Sequence, residues 1–336
     1  MKSVLTIVVP CYNEEEVLIN TISELLSVLE KLIASQSVSK ESRLLFVDDG
    51  SKDDTWNIIC SKAKKNSMVK GLKLAKNAGH QNALLAGLQA AKECSDCIIS
   101  IDADLQDDIN VIPDFIQLFH QGYDTVYGVR SSREKDSWFK RFSAESYYKL
   151  MSRFGINLVF NHADYRLMSK RAAEELLKYT ESNLFLRGIV PLVGYKTAAV
   201  SYERKERLAG ETKYPLKKMI SFALDGLTSF SVRPIRLITA GGAAVLILGA
   251  AAGGYAAVQK LAGNTVPGWA SIMASIWFIG GIQLLSLGLI GEYIGKIFKE
   301  VKRRPRFTIE TNLLEPQPAK RQEQLKYRLR NKRKYL

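Results

Sequence analysis

Two long stretches without a charged residue most strongly constrain how this chain of 336 residues can fold. Residues 237–258 and 269–291 contain no Asp, Glu, Lys or Arg, and both are rich in Gly and Ala. At about 1.5 Å of rise per residue, a helix of either length crosses a hydrocarbon layer of about 30 Å. We therefore expect two transmembrane helices within residues 236–295. Their small residues favour close helix packing in lipid and would also permit a homo-oligomer through these helices.

The distribution of charge predicts how this hairpin is oriented. The formal net charge is +14, and basic residues are concentrated in residues 296–336, whereas the loop between the two uncharged stretches holds only Lys260. Because basic residues mark the cytoplasmic side, we expect a multi-pass protein of the cytoplasmic membrane with both termini in the cytoplasm. A basic tail beside a span indicates anionic lipid rather than nucleic acid as its partner. Apolar residues at helical spacing in 215–235 predict an amphipathic helix at the membrane surface.

The part of the chain before these stretches, residues 1–214, shows the pattern of an α/β domain. Short apolar runs alternate with helical patterns, at residues 4–9, 44–47, 68–74 and 97–101. This alternation predicts a parallel sheet with ligand-binding loops at the carboxyl ends of its strands. A later run at residues 195–203 is predicted to be an edge strand.

Acidic residues follow two of the predicted strands. Asp48 and Asp49 end the second, and Asp102 and Asp104 end the fourth, where alternation points the latter two carboxylates the same way. Such a pair repels itself unless a cation intervenes, and its oxygen atoms suit Mg²⁺ or Mn²⁺. Gln106 continues the same side as a third oxygen ligand. A solvated acidic turn, the alternative for an isolated Asp-x-Asp, does not explain a second acidic pair opening onto the same cleft. We therefore predict a site for a nucleotide diphosphate and its metal ion.

At these residues the chain resembles the family-two glycosyltransferases of GT-A fold. The successive motifs are Val9-Pro10-Cys-Tyr12-Asn13-Glu14-Glu15, Val47-Asp48-Asp49-Gly50-Ser51, Asn77-x-Gly79-His80-Gln81 and Asp102-Ala-Asp104-Leu-Gln106. Later motifs resemble the polyprenyl-phosphate glycosyltransferase branch, which includes dolichol-phosphate mannose synthase and the bactoprenol glucosyltransferases. They are Asp164-Tyr165-Arg166-Leu167-Met168, Arg204-x-x-Arg207-x-x-Gly210-x-x-Lys213-Tyr214 and Gly291-Glu292-Tyr293. The resemblance implies a Rossmann-like nucleotide-sugar-binding domain followed by a two-helix transmembrane hairpin.

The resemblance also implies a role for each motif. The residues expected to bind the nucleotide sugar are Pro10, Tyr12, Asn13, Glu14, Asp48, Asp49, His80 and Asp102. Those expected to hold Mg²⁺ or Mn²⁺ are Asp102, Asp104 and Gln106. Those expected to bind the acceptor phosphate are Arg130, Arg204, Arg207 and Lys213. Those assigned to catalysis are Asp104, Asp164, Arg207 and Lys213.

Two points stay open at this stage. Asp164 is expected to orient a sugar hydroxyl or a basic partner, to act as a base, or only to pair with Arg166. The family commonly continues Pro-Pro-Glu after Gln106-Asp107, whereas this chain reads Asp108-Ile109-Asn110. This departure leaves the expected metal ligands intact and leaves the shape of the adjoining loop undetermined.

The reaction that the resemblance implies is an inverting, metal-dependent transfer of a hexose to undecaprenyl phosphate at the cytoplasmic membrane face. The favoured donor is UDP-glucose, and the product would be a lipid-linked sugar for modifying cell-envelope glycans. A phosphate monoester is largely a dianion at neutral pH, so it needs no strong general base. The enzyme must instead align the reactants and stabilise their phosphate charges. The alternatives are another sugar (mannose, GlcNAc or aminoarabinose type), a polysaccharide synthase, and a non-catalytic nucleotide-sugar-binding scaffold.

Overall fold

The structure is a computed structural model that describes residues 2–131, 162–181, 186–203, 233–262 and 268–314. These residues form two compact units. The first contains the described residues up to 203 together with 305–314, and the second contains 233–262 and 268–304. Nearly all of the predicted amphipathic helix and most of the predicted basic tail lie outside the described residues.

The first unit is built on a mixed sheet covered by helices. Its strands are β1 Leu5–Cys11, β2 Arg43–Asp48, β3 Val69–Leu74, β4 Cys97–Ser100, β5 Thr125–Arg130, β6 His162–Ser169, β7 Thr197–Tyr202 and β8 Ile309–Asn312. Its α-helices are α1 Glu15–Ala34, α2 Thr55–Lys65, α3 His80–Ala91, α4 Ile112–His120, α5 Lys170–Leu176 and α6 Leu186–Ile189. The eight strands lie in the order β7-β5-β6-β4-β1-β2-β3-β8.

The central strands form the parallel part of this sheet, as the sequence predicts. β1 pairs in parallel with both β2 and β4, and β2 pairs in parallel with β3. Every residue of β1 is buried, which explains its continuous apolar run. Helix α1 covers the sheet with a stripe of buried residues at helical spacing, including Leu18, Ile22, Leu25 and Leu29. The crossover helices place the carboxyl ends of these strands at one edge of the sheet.

One strand that the sequence analysis did not predict completes the region around β4. β6 runs antiparallel to β4, with Ser100 opposite Arg166, and is also antiparallel to β5. Continuing this register by two residues brings Asp164 opposite Asp102. The predicted edge strand is observed as β7, which pairs in parallel with β5.

A second unpredicted strand follows the uncharged stretches. β8 lies within the range predicted as a basic tail, yet it pairs antiparallel with β3 and covers the backbone groups of that edge. Just before β8, Arg306 donates from Nη2 to the carbonyl oxygens of Tyr179 and Glu181, at 2.8 Å each. The ion pair Lys73–Glu310, at 3.2 Å, joins the side chains of β3 and β8. The chain after residue 304 is therefore part of the sheet domain.

The second unit contains two long helices, α7 Arg233–Leu261 and α8 Trp269–Val301, which contact each other. Large apolar side chains on them are exposed, as at Leu248 (68%) and Leu285 (75%), which is typical of a surface that another apolar phase covers. Within the described residues, one segment, Phe278–Val301 of α8, is long and apolar enough to cross a membrane. The apolar segment of α7, Ile238–Ala251, is shorter.

The close packing of α3 on the sheet makes Gly87 sensitive to substitution. A Cβ at Gly87 would overlap Val8 Cγ1 and lie 2.9 Å from Val47 Cγ2. We expect Gly87→Ala to lower the free energy of unfolding by about 1–3 kcal/mol, because neither β-branched neighbour can move away freely. Thermal and urea unfolding measure the change. Gly242→Ala in α7, where an added Cβ meets nothing within 4 Å, serves as the control. Equal unfolding midpoints for the two variants would contradict this packing.

A buried carboxylate connects the ends of β5 and β6. Asp124 accepts hydrogen bonds from the Ser169 hydroxyl at 2.8 Å and from two nitrogen atoms of Arg171. Arg171, together with Ser169, holds the pKa of Asp124 below its usual value despite burial. A lowered folded-state pKa stabilises the protein above the unfolded pKa, and this contribution is lost as the pH falls through the folded pKa.

We therefore expect Asp124→Asn to destabilise the protein by about 1–3 kcal/mol at neutral pH. The difference from wild type should shrink as the pH falls below about 4, the usual range for an aspartate. Denaturant unfolding at a series of pH values measures it. A difference that does not change between pH 7 and pH 3 would show that ionisation of Asp124 is unimportant for stability.

Candidate active site

The carboxylate at the end of β2 has one unsatisfied oxygen. Asp48 is fully buried, and its Oδ1 accepts a hydrogen bond from the Ser51 N–H at 3.2 Å. Among the described residues, no group donates a hydrogen bond to Asp48 Oδ2. Burial raises the pKa of this carboxyl group above its usual value. Burying an acceptor atom without a hydrogen-bond partner costs free energy. Binding of a ligand that donates a hydrogen bond to this oxygen would therefore be favourable.

The neighbouring carboxylate has a structural role. Asp49 accepts hydrogen bonds from the backbone N–H groups of Ala78 (2.7 Å) and Gly79 (2.9 Å), one at each oxygen, and it is 2% exposed. Gly79 has a φ of 92°, a conformation that glycine adopts at little cost. Asp49, predicted to bind the nucleotide sugar, is thus placed where it shapes the β3–α3 loop and positions His80 at the start of α3.

The loop after β1 is tied to the loop after β2 by hydrogen bonds. Asn13 has a left-handed backbone (φ 54°) and donates from its N–H to Ser51 Oγ at 3.0 Å. Its side-chain Oδ1 accepts the Lys52 N–H at 2.9 Å. The backbone N–H of Glu14 donates to Thr55 Oγ1 at 2.9 Å. Asn13 therefore acts in this structure as a connector between two loops of the predicted nucleotide site.

Two more residues of this motif differ in exposure. Pro10 is buried in β1 opposite Val47, near the carboxyl ends of β1 and β2. Tyr12 is 40% exposed, which leaves its ring accessible for stacking against a planar ligand.

The residues that follow β4 place several carboxylates close together. The Nε2 atom of His80 lies 3.5 Å from Asp102 Oδ1 and 3.9 Å from Asp164 Oδ2. Burial, with the nearby carboxylates of Asp164, Asp107 and Asp104, raises the pKa of Asp102 to about 6, and His80 opposes the shift. Mutual repulsion of this kind is relieved by a divalent cation.

The turn from Asp104 to Gln106 is held in a strained conformation. Asp104 Oδ1 accepts the Gln106 N–H at 3.2 Å, and Leu105 between them has a φ of 52°. A non-glycine residue in the left-handed region is a recurrent feature of functional loops. Among the described residues, no three His, Cys, Asp or Glu side chains converge as a metal site. Asp102, Asp104 and the amide of Gln106 offer a partial set of oxygen donors, which fits a metal that also keeps water or substrate phosphate ligands.

Asp164 contacts two arginine side chains. Its Oδ1 accepts a hydrogen bond from Arg166 Nη2 at 2.7 Å, and its Oδ2 accepts one from Arg187 Nη2 at 3.4 Å. Burial alone would raise the pKa of Asp164, but Arg187, Arg166 and His80 outweigh it and lower the pKa to about 2. Because both of its oxygen atoms accept hydrogen bonds from arginines, Asp164 is placed to orient these side chains. Sequence reasoning missed Arg187, because no motif links it to Asp164.

Arg130 is held by the loop that follows Gln106. Its Nη2 lies 3.2 Å from Asp107 Oδ1, which also accepts the Tyr202 hydroxyl. Although burial opposes the shift, Asp107 and Tyr202 raise the pKa of Arg130, so it stays charged. Arg204, Arg207 and Lys213, the other predicted acceptor-phosphate ligands, lie outside the described residues.

The loop that departs from the family pattern has a defined shape. Asp108 Oδ1 accepts hydrogen bonds from the N–H of Asn110 at 3.2 Å and from its side-chain amide at 2.8 Å. This caps a short 3₁₀ helix, Ile109–Val111, in which Ile109 is buried. Local capping thus takes the place of Pro-Pro-Glu.

Comparison with known proteins assigns the chain to a family. The sequence model of glycosyl transferase family 2 matches residues 6–177, and that of the GtrB C-terminal hairpin matches residues 233–297. The chain is 58% identical to the uncharacterized glycosyltransferase YkoT of Bacillus subtilis, over 98% of each chain. It is 40% identical to the prophage bactoprenol glucosyl transferase homolog of Escherichia coli K12, over 91% of this chain and 98% of that one.

Among solved structures, the mannosyltransferase PcManGT from Pyrobaculum calidifontis, in complex with GDP-Man and Mn²⁺, aligns over 91% of this chain and 89% of that one. Its TM-score of 0.43 and 15% identity are too low for a functional conclusion. The family models and the relatives cover both the sheet domain and the hairpin. The chain therefore belongs to glycosyl transferase family 2 and is a glycosyltransferase of GT-A fold with a C-terminal hairpin.

Proposed function

We propose that this glycosyltransferase transfers a hexose from a nucleotide sugar to polyprenyl phosphate, with inversion at the anomeric carbon. The observation that carries the proposal is the cluster of Asp102, His80 and Asp164 at the carboxyl end of β4, in a chain with a helix apolar enough to cross a membrane. Relatives named bactoprenol glucosyl transferases, about 40% identical over 91% of the chain, support the lipid acceptor and make glucose the favoured sugar.

The donor would bind at the ends of β1 and β2. The unsatisfied Oδ2 of Asp48 can accept a hydrogen bond from a nucleoside, and the exposed ring of Tyr12 can stack on a base. UDP-glucose is the favoured donor. Asn13, Glu14 and Asp49 support this site through the loops that their hydrogen bonds hold together.

Asp102, Asp104 and Gln106 would hold Mg²⁺ or Mn²⁺ beside the donor diphosphate. Bound there, the cation would neutralise the negative charge of the leaving nucleoside diphosphate. The carboxylates of Asp104, Asp107 and Asp164 near Asp102 support this assignment, because carboxylates close together favour a cation between them.

The acceptor phosphate supplies its own nucleophile. Its oxygen is already anionic at neutral pH, so the protein must hold it in line with the anomeric carbon rather than deprotonate it. Arg130 is at the end of β5, and with Arg204, Arg207 and Lys213 it makes the set of cations proposed to bind this phosphate. Asp164, ionised and held by two arginines, would orient His80 and Arg187.

The hairpin is the membrane-associated part of the chain. We place both helices across the cytoplasmic membrane with both termini in the cytoplasm, so that the catalytic domain meets lipid phosphate at the cytoplasmic face. Basic residues that follow α8, beginning at Lys302, support this orientation. Self-association through the helices is compatible with their Gly and Ala content, and no nucleic-acid partner is proposed.

The reaction is tested by incubating membranes that contain the protein with labelled nucleotide sugars, Mg²⁺ or Mn²⁺, and polyprenyl phosphate. We expect label from UDP-glucose in an acid-labile, organic-extractable lipid. If only another nucleotide sugar donates label, the proposed reaction stands and the assignment of glucose is wrong. Absence of label in lipid with every donor would reject the proposal.

Asp104→Asn should reduce transfer by about two orders of magnitude or more, because it removes a charged metal ligand without changing the size of the side chain. The initial rate of lipid labelling measures the effect, and Mn²⁺ titration should show a weaker site. The matched control is Asp114→Asn, an exposed residue in the first turn of α4. Full activity of Asp104→Asn would remove Asp104 from the metal site.

A further inference from the structure

Arg187 is fixed beside the proposed active site by packing and by a distant hydrogen bond. The helix that carries it, α6, buries Leu186 (1% exposed) and Ile189 (0%). The backbone N–H of Leu186 donates to the side-chain Oε1 of Gln81 at 3.2 Å, across 105 positions in sequence. Because Gln81 follows His80 at the start of α3, this bond joins the start of α6 to the helix that carries His80.

Of the two arginines that contact Asp164, Arg187 is the more exposed. Arg166 and Arg187 both contact the carboxylate of Asp164. The side chain of Arg166 is 2% exposed. That of Arg187 is 43% exposed, although it also contacts Asp164 Oδ2.

Contacts through Asp164 and His80 connect Arg187 to Asp102 of the proposed metal site. His80 Nε2 lies 3.5 Å from Asp102 and 3.9 Å from Asp164, and Arg187 contacts Asp164 at the same oxygen that faces His80. The acidic end of this row is Asp102, where the donor diphosphate and its cation are proposed to lie. The cationic end is Arg187, which suits a second anionic group.

We infer that Arg187 binds the phosphate of the acceptor lipid, with Asp164 and Gln81 as its positioning residues. A guanidinium group can donate two parallel hydrogen bonds to a phosphate, which fixes direction as well as charge. This inference rests on the proposed function, since it assumes that the acceptor is a phosphate monoester.

The test measures acceptor and donor binding separately, in full-length protein in detergent micelles. A short-chain polyprenyl phosphate is titrated into wild type, Arg187→Ala and Arg187→Lys, and UDP with Mn²⁺ is titrated into the same proteins. We expect Arg187→Ala to weaken lipid phosphate binding about tenfold or more, the usual cost of losing a charge-assisted contact. The affinity of Arg187→Lys for lipid phosphate should lie between those of wild type and Arg187→Ala, because lysine keeps the charge but lacks the paired N–H donors of arginine. Affinity for UDP should stay within about twofold in both.

Arg171→Ala provides the matched control. Arg171 is also an arginine paired with an aspartate, Asp124, but it lies on α5 and its side chain is 64% exposed. We expect this variant to bind lipid phosphate and UDP like wild type. Unfolding midpoints of all variants show whether each is folded, and Arg187→Lys carries the test if the alanine variant is not.

Three results would overturn the inference. They are unchanged lipid phosphate binding in Arg187→Ala and Arg187→Lys, an equal loss of lipid phosphate and UDP binding, and no binding of lipid phosphate by wild type. The proposed function fails separately, when wild type binds lipid phosphate and transfers no sugar to it. In that case the binding data still decide the role of Arg187.

Discussion

The antiparallel pairing of β6 with β4 is the constraint on which the active site depends. The four parallel strands β1 to β4 bring Asp48 and Asp102 to one edge of the sheet, as in other α/β folds. Only the reversed direction of β6 brings Asp164 opposite Asp102, with two arginines and His80 around it.

The aspartates at the strand ends differ in the partners of their carboxylate groups. Asp49 and Asp164 have their charge stabilised within the protein, the first by two backbone N–H groups and the second by two guanidinium groups. Asp48 has one oxygen to which no described group donates a hydrogen bond, and Asp102 lies near other carboxylates with His80 Nε2 at 3.5 Å. A buried acceptor without a donor is costly, and so are carboxylates crowded together, so a ligand donor at Asp48 or a cation at Asp102 would be favourable.

Much of the fold follows from local patterns. The apolar runs of the first four strands and the edge strand β7 lie within a few residues of their predicted bounds, and α8 covers the second uncharged stretch. β6, with eight residues, and β8, with four, were not predicted, because the strands β4 and β3 with which they pair are far away in sequence. The motif at Asn77–Gln81 showed that residues there matter, but it did not show that Gln81 binds the backbone of α6.

By itself, the sequence determined the family, the two-part organisation, and the acidic strand ends, since these depend on periodicity, on charge-free length, and on motifs within a few residues of each other. Tertiary structure alone decided which charges meet. Arg187 donates a hydrogen bond to Asp164, and Asp49 accepts one from the backbone of the β3–α3 loop. The chain after α8 pairs with the edge strand β3. These contacts join residues on different strands and helices, and their distances are set by sheet register and packing, which no local pattern encodes.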